Sequence, residues 1–174
     1  MQITFHGVRG STPAPTQTSH RYGGNTSCVL VMCEGAAPIL FDLGTGVRTI
    51  GADWDHPLDA TALVTHLHWD HVQGFPFCAG VLREGSRVTI YGPKQADGSF
   101  SDSLLSCLRP PFFPVELHEL PCDTAVEEVR DTRIDLGPVE VLVRSVPHVG
   151  ETNGYRVTSN GSSVAYVPDH QQPA

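Results

Sequence analysis

Long apolar runs are missing from this 174-residue sequence. The longest, such as Cys28–Cys33, fall far short of the ~20 residues a helical bilayer span requires, so no membrane association is expected. The opening residues Met-Gln-Ile-Thr-Phe-His-Gly lack the basic-then-apolar layout of a signal peptide, and a cytoplasmic location is the expectation. Positive charge is scarce too. Eleven Lys+Arg stand against 19 Asp+Glu, for a net charge of −8. That balance gives no strong nucleic-acid-binding signal, since a non-specific grip on long nucleic acid relies on basic patches. A small phosphorylated ligand held by metal remains compatible with it. Charged residues of all kinds make up only 17% against 40% hydrophobic residues, which excludes intrinsic disorder. Five cysteines, an odd number, show no zinc-knuckle spacing, the nearest being Cys28-x4-Cys33, and read as reduced, structural thiols. Internal repeats, low-complexity tracts and linkers are also lacking. A single domain over residues 1–174 is therefore predicted.

What the sequence does have is short strands. Ile3 and Phe5 alternate with polar neighbours, and Ser27–Cys33 and Pro38–Asp42 flank a Glu34-Gly35 turn. Thr61–Thr65, Arg87–Tyr91, Val115–Leu120, Thr132–Leu136 and Val139–Val146 follow. Gly154–Thr158 and Ser163–Val167 flank Asn160-Gly161, a strong hairpin signal. Helices are expected over Thr45–Ile50, His71–Ala79 and Ser101–Leu108, the last halted by Pro110-Pro111. Glu127-Glu128-Val129-Arg130-Asp131 reads as a solvated connector. This pattern suggests an α+β protein with sheets packed on each other and helices outside.

Histidine is the anomaly. Nine are present, and three fall within Thr65-His66-Leu67-His68-Trp69-Asp70-His71, straight after a buried strand. On extended backbone, residues i and i+2 project to one side, so His66 and His68 can grip one metal ion together. Asp70 continues that parity and His71 follows as the chain turns, so both can face a second ion. Imidazole and carboxylate suit zinc, with manganese and iron as rivals. His6, His20, His56 and His118 stand alone and read as packed or hydrogen-bonded residues.

His66-x-His68-x-Asp70-His71 resembles the signature of the metallo-β-lactamase superfamily. Gly7–Pro13, Arg21–Ser27, Phe41–Gly46 and Gln73–Phe77 add to the likeness, which is closest in kind to its ribonuclease Z and phosphodiesterase-like branch. The resemblance implies an αββα sandwich with the metal site at one edge of the sheets. It makes His148 the third histidine of the first metal and Asp169 an aspartate bridging two ions. Read on their own, these two are polar residues at strand ends. The resemblance also implies that Asp42 supports the metal-binding loops from behind, where residues alone allow a turn-capping role.

One element of the pattern is missing. The family supplies a further histidine for the second metal beyond the bridging aspartate, whereas here the sequence stops shortly after Asp169. The expectation is a domain incomplete at its C-terminus. It would have a full first set (His66, His68, His148, Asp169) and a second set (Asp70, His71, Asp169) short of one ligand. Exposed apolar surface and poor solubility or association, including homo-oligomers, would follow. The implied activity is a metal-dependent hydrolase of phosphodiester bonds in a small or nucleotide substrate. It would use a hydroxide bridging two divalent ions ~3.5–4 Å apart, with Asp70 orienting the nucleophile. Asn25, in the glycine-rich Tyr22–Thr26 loop, is a candidate substrate contact; Arg9 and Arg48 read as surface residues first. Two alternatives stay open: hydrolysis of a lactone, β-lactam or thioester at the same kind of site, and a non-catalytic metal-binding domain.

Overall fold

The computed structural model describes residues 1–172. Alternating β-branched and aliphatic residues build β1 (Gln2–Gly7), β2 (Cys28–Met32) and β3 (Ile39–Phe41), which pair antiparallel. β4 (Asp59–Leu63), β5 (Arg87–Pro93) and β6 (Asp123–Val129) extend the same sheet in parallel, giving six strands in chain order. A second sheet is an antiparallel meander in the order β10-β9-β8-β7. Its strands are β7 (Arg133–Asp135), β8 (Glu140–Ser145), β9 (Asn153–Ser159) and β10 (Ser162–Tyr166).

The period-2 pattern of β3 and β4 sorts side chains into two cores. Ile39, Phe41 and Leu63 face the second sheet and meet Val141, Val143, Tyr155 and Val157. Leu40 and Ala62 face the other way, with Val88 and Ile90, onto Val47, Phe75 and the helix α2 (Phe100–Cys107). Both faces are covered, which is why the middle of this sheet reads as nearly continuous apolar sequence. The layers are helix, sheet, sheet; among the described residues no helix covers the outer face of the second sheet. Register puts Ile3 opposite Val31 and Phe5 opposite Val29, on the inter-sheet face. Yet Ile3 is 40% and Phe5 68% exposed, so this edge presents apolar side chains to solvent.

Several elements match expectation. Asn160 and Gly161 both take positive φ, 48° and 73°, and close the β9–β10 hairpin as a two-residue turn. The helix expected over Ser101–Leu108 is α2, and Ser99 caps it by accepting the Asp102 amide at 2.9 Å. The described cysteines are all free, and four of the five are buried. No helix among the described residues is long and apolar enough to cross a membrane.

Four predictions need correction. Val115–Leu120 is not a strand: Leu117–Glu119 forms one 3₁₀ turn, held by reciprocal capping between Glu116 and Glu119. The strand lies instead at β6 and takes in Glu127, Glu128 and Val129, expected as a connector. Parallel pairing with β5 overrides the local charge, because an edge strand presents one face to solvent and Glu128 accepts the Phe100 amide at the start of α2. The helix expected over His71–Ala79 is really α1 (Trp69–Val72) followed by a 3₁₀ turn, Phe75–Phe77. Gly74 separates the two, packed so closely on the Gly44 carbonyl that a Cβ would overlap it. Thr45–Thr49 is also 3₁₀ rather than α.

Candidate metal centre

β4 runs into Val64 and Thr65, and the chain then continues as His66-Leu67-His68 before α1 begins. His66 is 1% exposed; His68 is open to solvent. His66 Nε2 and His68 Nδ1 lie 2.8 Å apart, as the i and i+2 spacing anticipated. The other sheet supplies the rest. His148, in the connection from β8 to β9, brings its Nε2 to 3.3 Å from His68 Nδ1. Asp169, just after β10, places Oδ2 at 3.8 Å from both His66 Nε2 and His148 Nε2. These four ligand atoms all lie within 4.8 Å of one another. Donors ~2.0–2.1 Å from one tetrahedral centre sit about 3.3 Å apart, so three imidazoles and a carboxylate at these distances fit a zinc-type ion. Gln171 N–H donates to the Pro147 carbonyl at 2.6 Å and ties the Asp169 segment to the His148 connection.

His71 and Asp70 form the neighbouring group. His71 Nε2 is 3.6 Å from Asp169 Oδ2 and 3.5 Å from Asp70 Oδ2. Asp169 Oδ2 thus stands between His71 and the His66–His148 pair. No further histidine completes the second group among the described residues; His170 is exposed.

Behind both groups lies Asp42, fully buried at the end of β3 with φ +56°. Its Oδ2 accepts from His71 Nδ1 at 2.7 Å and from Tyr166 Oη at 3.0 Å. Its Oδ1 accepts the Thr65 amide at 2.7 Å and the Thr65 hydroxyl at 2.9 Å. Thr65 Oγ1 in turn lies 3.0 Å from His66 Nδ1. With Thr65 donating to Asp42, His66 Nδ1–H donates to Thr65. One carboxylate therefore sets the tautomer of His71 directly and of His66 through Thr65, leaving each Nε2 lone pair for the centre. Neither Thr65 nor Tyr166 was singled out by the sequence pattern. Only the position of Thr65 immediately before His66 offered a signal.

Electrostatics differ across the pair. Burial, and then the neighbouring His71, His68 and His148, push His66 down to about 3, so it is neutral at ordinary pH. Burial also works to lower His71, but the Asp42 hydrogen bond and charge, aided by Asp70 and Asp169, prevail and raise it. Burial and the Asp42 charge raise the Tyr166 hydroxyl, which stays a donor.

The remaining sequence candidates lie nearby or at the surface. Asn25 is half-buried; its carbonyl accepts the Val8 and Arg9 amides at 3.1 and 3.0 Å, and its Oδ1 accepts from Thr45 Oγ1 at 3.3 Å. Arg9 and Arg48 are exposed. A separate hollow of about 880 Å³ between α2 and β6, lined by Leu105, Arg109, Leu117, His118 and Cys122, contains none of the clustered residues.

Residues 39–173 match the model of a family described as the beta-lactamase superfamily domain. Among characterised relatives, the chain is 29% identical over 171 residues to zinc phosphodiesterase ELAC protein 1 of Bos taurus, covering 89% of this chain and 45% of that protein. It is 32% identical over 167 residues to ribonuclease Z of Haloarcula marismortui, covering 89% and 46%. The chain thus spans about half the length of the curated relatives it matches. The solved structure of the short form of human tRNase Z superposes with a TM-score of 0.66 at 24% identity, covering 95% of this chain and 68% of that one. The metallo-β-lactamase fold protein YhfI of Bacillus subtilis gives 0.66 at 20% identity, covering 94% and 60%.

Proposed function

The chain belongs to the metallo-β-lactamase superfamily, and from that premise we propose that it sits in the branch that includes ribonuclease Z and is a metal-dependent hydrolase of phosphodiester bonds in a small or nucleotide substrate. The observation that carries this is the convergence of His66 Nε2, His68 Nδ1, His148 Nε2 and Asp169 Oδ2, with His71 and Asp70 on the far side of the same Asp169 oxygen. The first four would hold one divalent ion; Asp70, His71 and Asp169 would supply three groups toward a second. Zinc suits this donor set best, and manganese and iron suit it less well. Such ions supply Lewis acidity and a water ionised near neutral pH. The protein does the positioning. Asp70 orients the attacking water through its carboxylate, and Asp169 fixes the spacing of the two groups. Asp42 and Thr65 hold His71 and His66 with their Nε2 atoms forward. Phosphodiesters are favoured over lactones, β-lactams and thioesters because the curated relatives described above are named as a zinc phosphodiesterase and ribonuclease Z.

The test is turnover of a chromogenic phosphodiester by the zinc-loaded chain, beside a lactone and a β-lactam, with metal content measured on the same sample. Phosphodiester turnover that disappears in His68→Ala, with the circular dichroism spectrum unchanged, is the expected result. A chain that binds metal and turns over none of the substrates is a binding domain, and the proposal fails. Faster lactone or β-lactam turnover moves the site to carbonyl chemistry.

A further inference from the structure

We propose that the backbone amide of Ser11 is a positioning group for Asp70, delivered by the loop that leaves β1. This rests on the reading of Asp70 as a working member of the centre. The Ser11 N–H donates to Asp70 Oδ2 at 2.6 Å across 59 residues of sequence. That oxygen is the one 3.5 Å from His71 Nε2, so the amide holds the carboxylate on its centre-facing side. A hydrogen bond to a carboxylate is among the stronger kinds.

Two observations mark this contact as built. Ser11 has φ +65°, a left-handed conformation that a residue with a side chain adopts at a cost, and here it aims the N–H at Asp70. The loop is also fastened on both sides of Ser11. Asn25 O accepts the Val8 and Arg9 amides, and Ala14 N–H donates to Gly24 O at 2.9 Å. Gly24 packs so tightly on Ala14 O that a Cβ would sit 2.6 Å from it. The segment carrying Asn25 and Thr26, just before β2, is locked in turn to the loop behind Asp70. Thr45 N donates to Thr26 Oγ1 at 2.8 Å and Thr26 N to Thr45 Oγ1 at 2.9 Å. Gly44 then lies against the Asp70 carbonyl with no room for a Cβ. One framework therefore supports Asp70 at both its backbone and its carboxylate. The glycine-rich segment that carries the candidate contact Asn25 is also an anchor of that framework.

The decisive variant replaces the Ser11 amide by an ester, which removes the N–H and leaves the side chain. Its companion is Ser11→Gly, which keeps the N–H and accommodates the positive φ. Cobalt(II) titration followed by the visible ligand-field spectrum reads each ion directly, and single-substrate kinetics split kcat from KM. The ester is expected to weaken the ion nearer Asp70 by about 10–100-fold and to lower kcat. The His66–His68–His148 ion and the melting temperature should stay as in the parent, and Ser11→Gly should retain parental cobalt affinity. An ester variant that titrates like the parent overturns the Ser11 assignment alone. A parent chain that binds no cobalt overturns the centre itself, and this assignment with it.

Discussion

At the scale of single residues, Asp42 is the hinge of the site's chemistry. It is wholly buried and accepts from His71, Tyr166 and both polar hydrogens of Thr65. Removing it leaves several buried donors without a partner, at about 1–3 kcal/mol for each unsatisfied group. Asp42→Ala is therefore expected to cost at least about 3 kcal/mol in urea unfolding. Tyr166→Phe, which deletes one donor and leaves none stranded, should cost about 1 kcal/mol. Equal losses would show that Asp42 is no hub. His66 carries a pH signature. Its pKa is about 3 folded against 6.5 unfolded, so the unfolded chain binds the extra proton between those values. This group's contribution therefore erodes as pH falls below about 6.5. His71, raised, works with the opposite sign: its contribution is present at low pH and lost as pH climbs through its folded value. In metal-free protein, His66→Gln should gain on the parent as pH drops from 7 to 4, as read by paired thermal melts. A difference independent of pH would remove the assignment of a neutral His66.

At the scale of elements, the sharpest local signals were right because they need no partner. Asn160-Gly161 selects its turn through backbone conformation alone, and the helix expected over Ser101–Leu108 forms as α2, which Ser99 caps within one turn. The misplaced elements depend on distant neighbours. β6 forms because β5 offers an edge, and α1 ends early because Gly74 must meet Gly44. Two glycines separate these cases experimentally. Gly161 has φ +73° and open space around it, so Gly161→Ala should cost about 1–2 kcal/mol and leave metal binding unchanged. At Gly74 a Cβ overlaps a backbone oxygen that side-chain motion cannot clear. Gly74→Ala should cost about 1–3 kcal/mol or more, and should also weaken metal binding by shifting His71. Denaturation and metal titration on both variants check this; a Gly74→Ala chain with parental metal affinity would falsify the coupling between that contact and the centre.

At the scale of the whole molecule, the centre joins the two sheets. His66 and His68 follow β4 of the first sheet, while His148 and Asp169 hang from connections of the second. An ion held by all four ties the sandwich together. Binding only to the folded state stabilises by about 2.7 kcal/mol at a hundredfold excess over Kd. Zinc added back to chelator-stripped chain should raise the melting temperature, and His148→Ala should abolish most of that rise. An undiminished shift in His148→Ala would place the ion elsewhere.

The sequence by itself determined the strand-rich α+β class, the i and i+2 pairing of His66 with His68 and the Asn-Gly hairpin, because each is set by backbone periodicity over a few residues. Through resemblance it also pointed to His148 and Asp169, which no local pattern distinguishes from ordinary strand-end residues. Tertiary structure alone decided that Asp42 reaches His66 through Thr65, that Tyr166 closes the same network, and that Ser11 meets Asp70 across 59 residues. Those contacts join segments far apart in the chain, and their geometry exists only once two sheets and a fastened loop have brought the donors to the carboxylates.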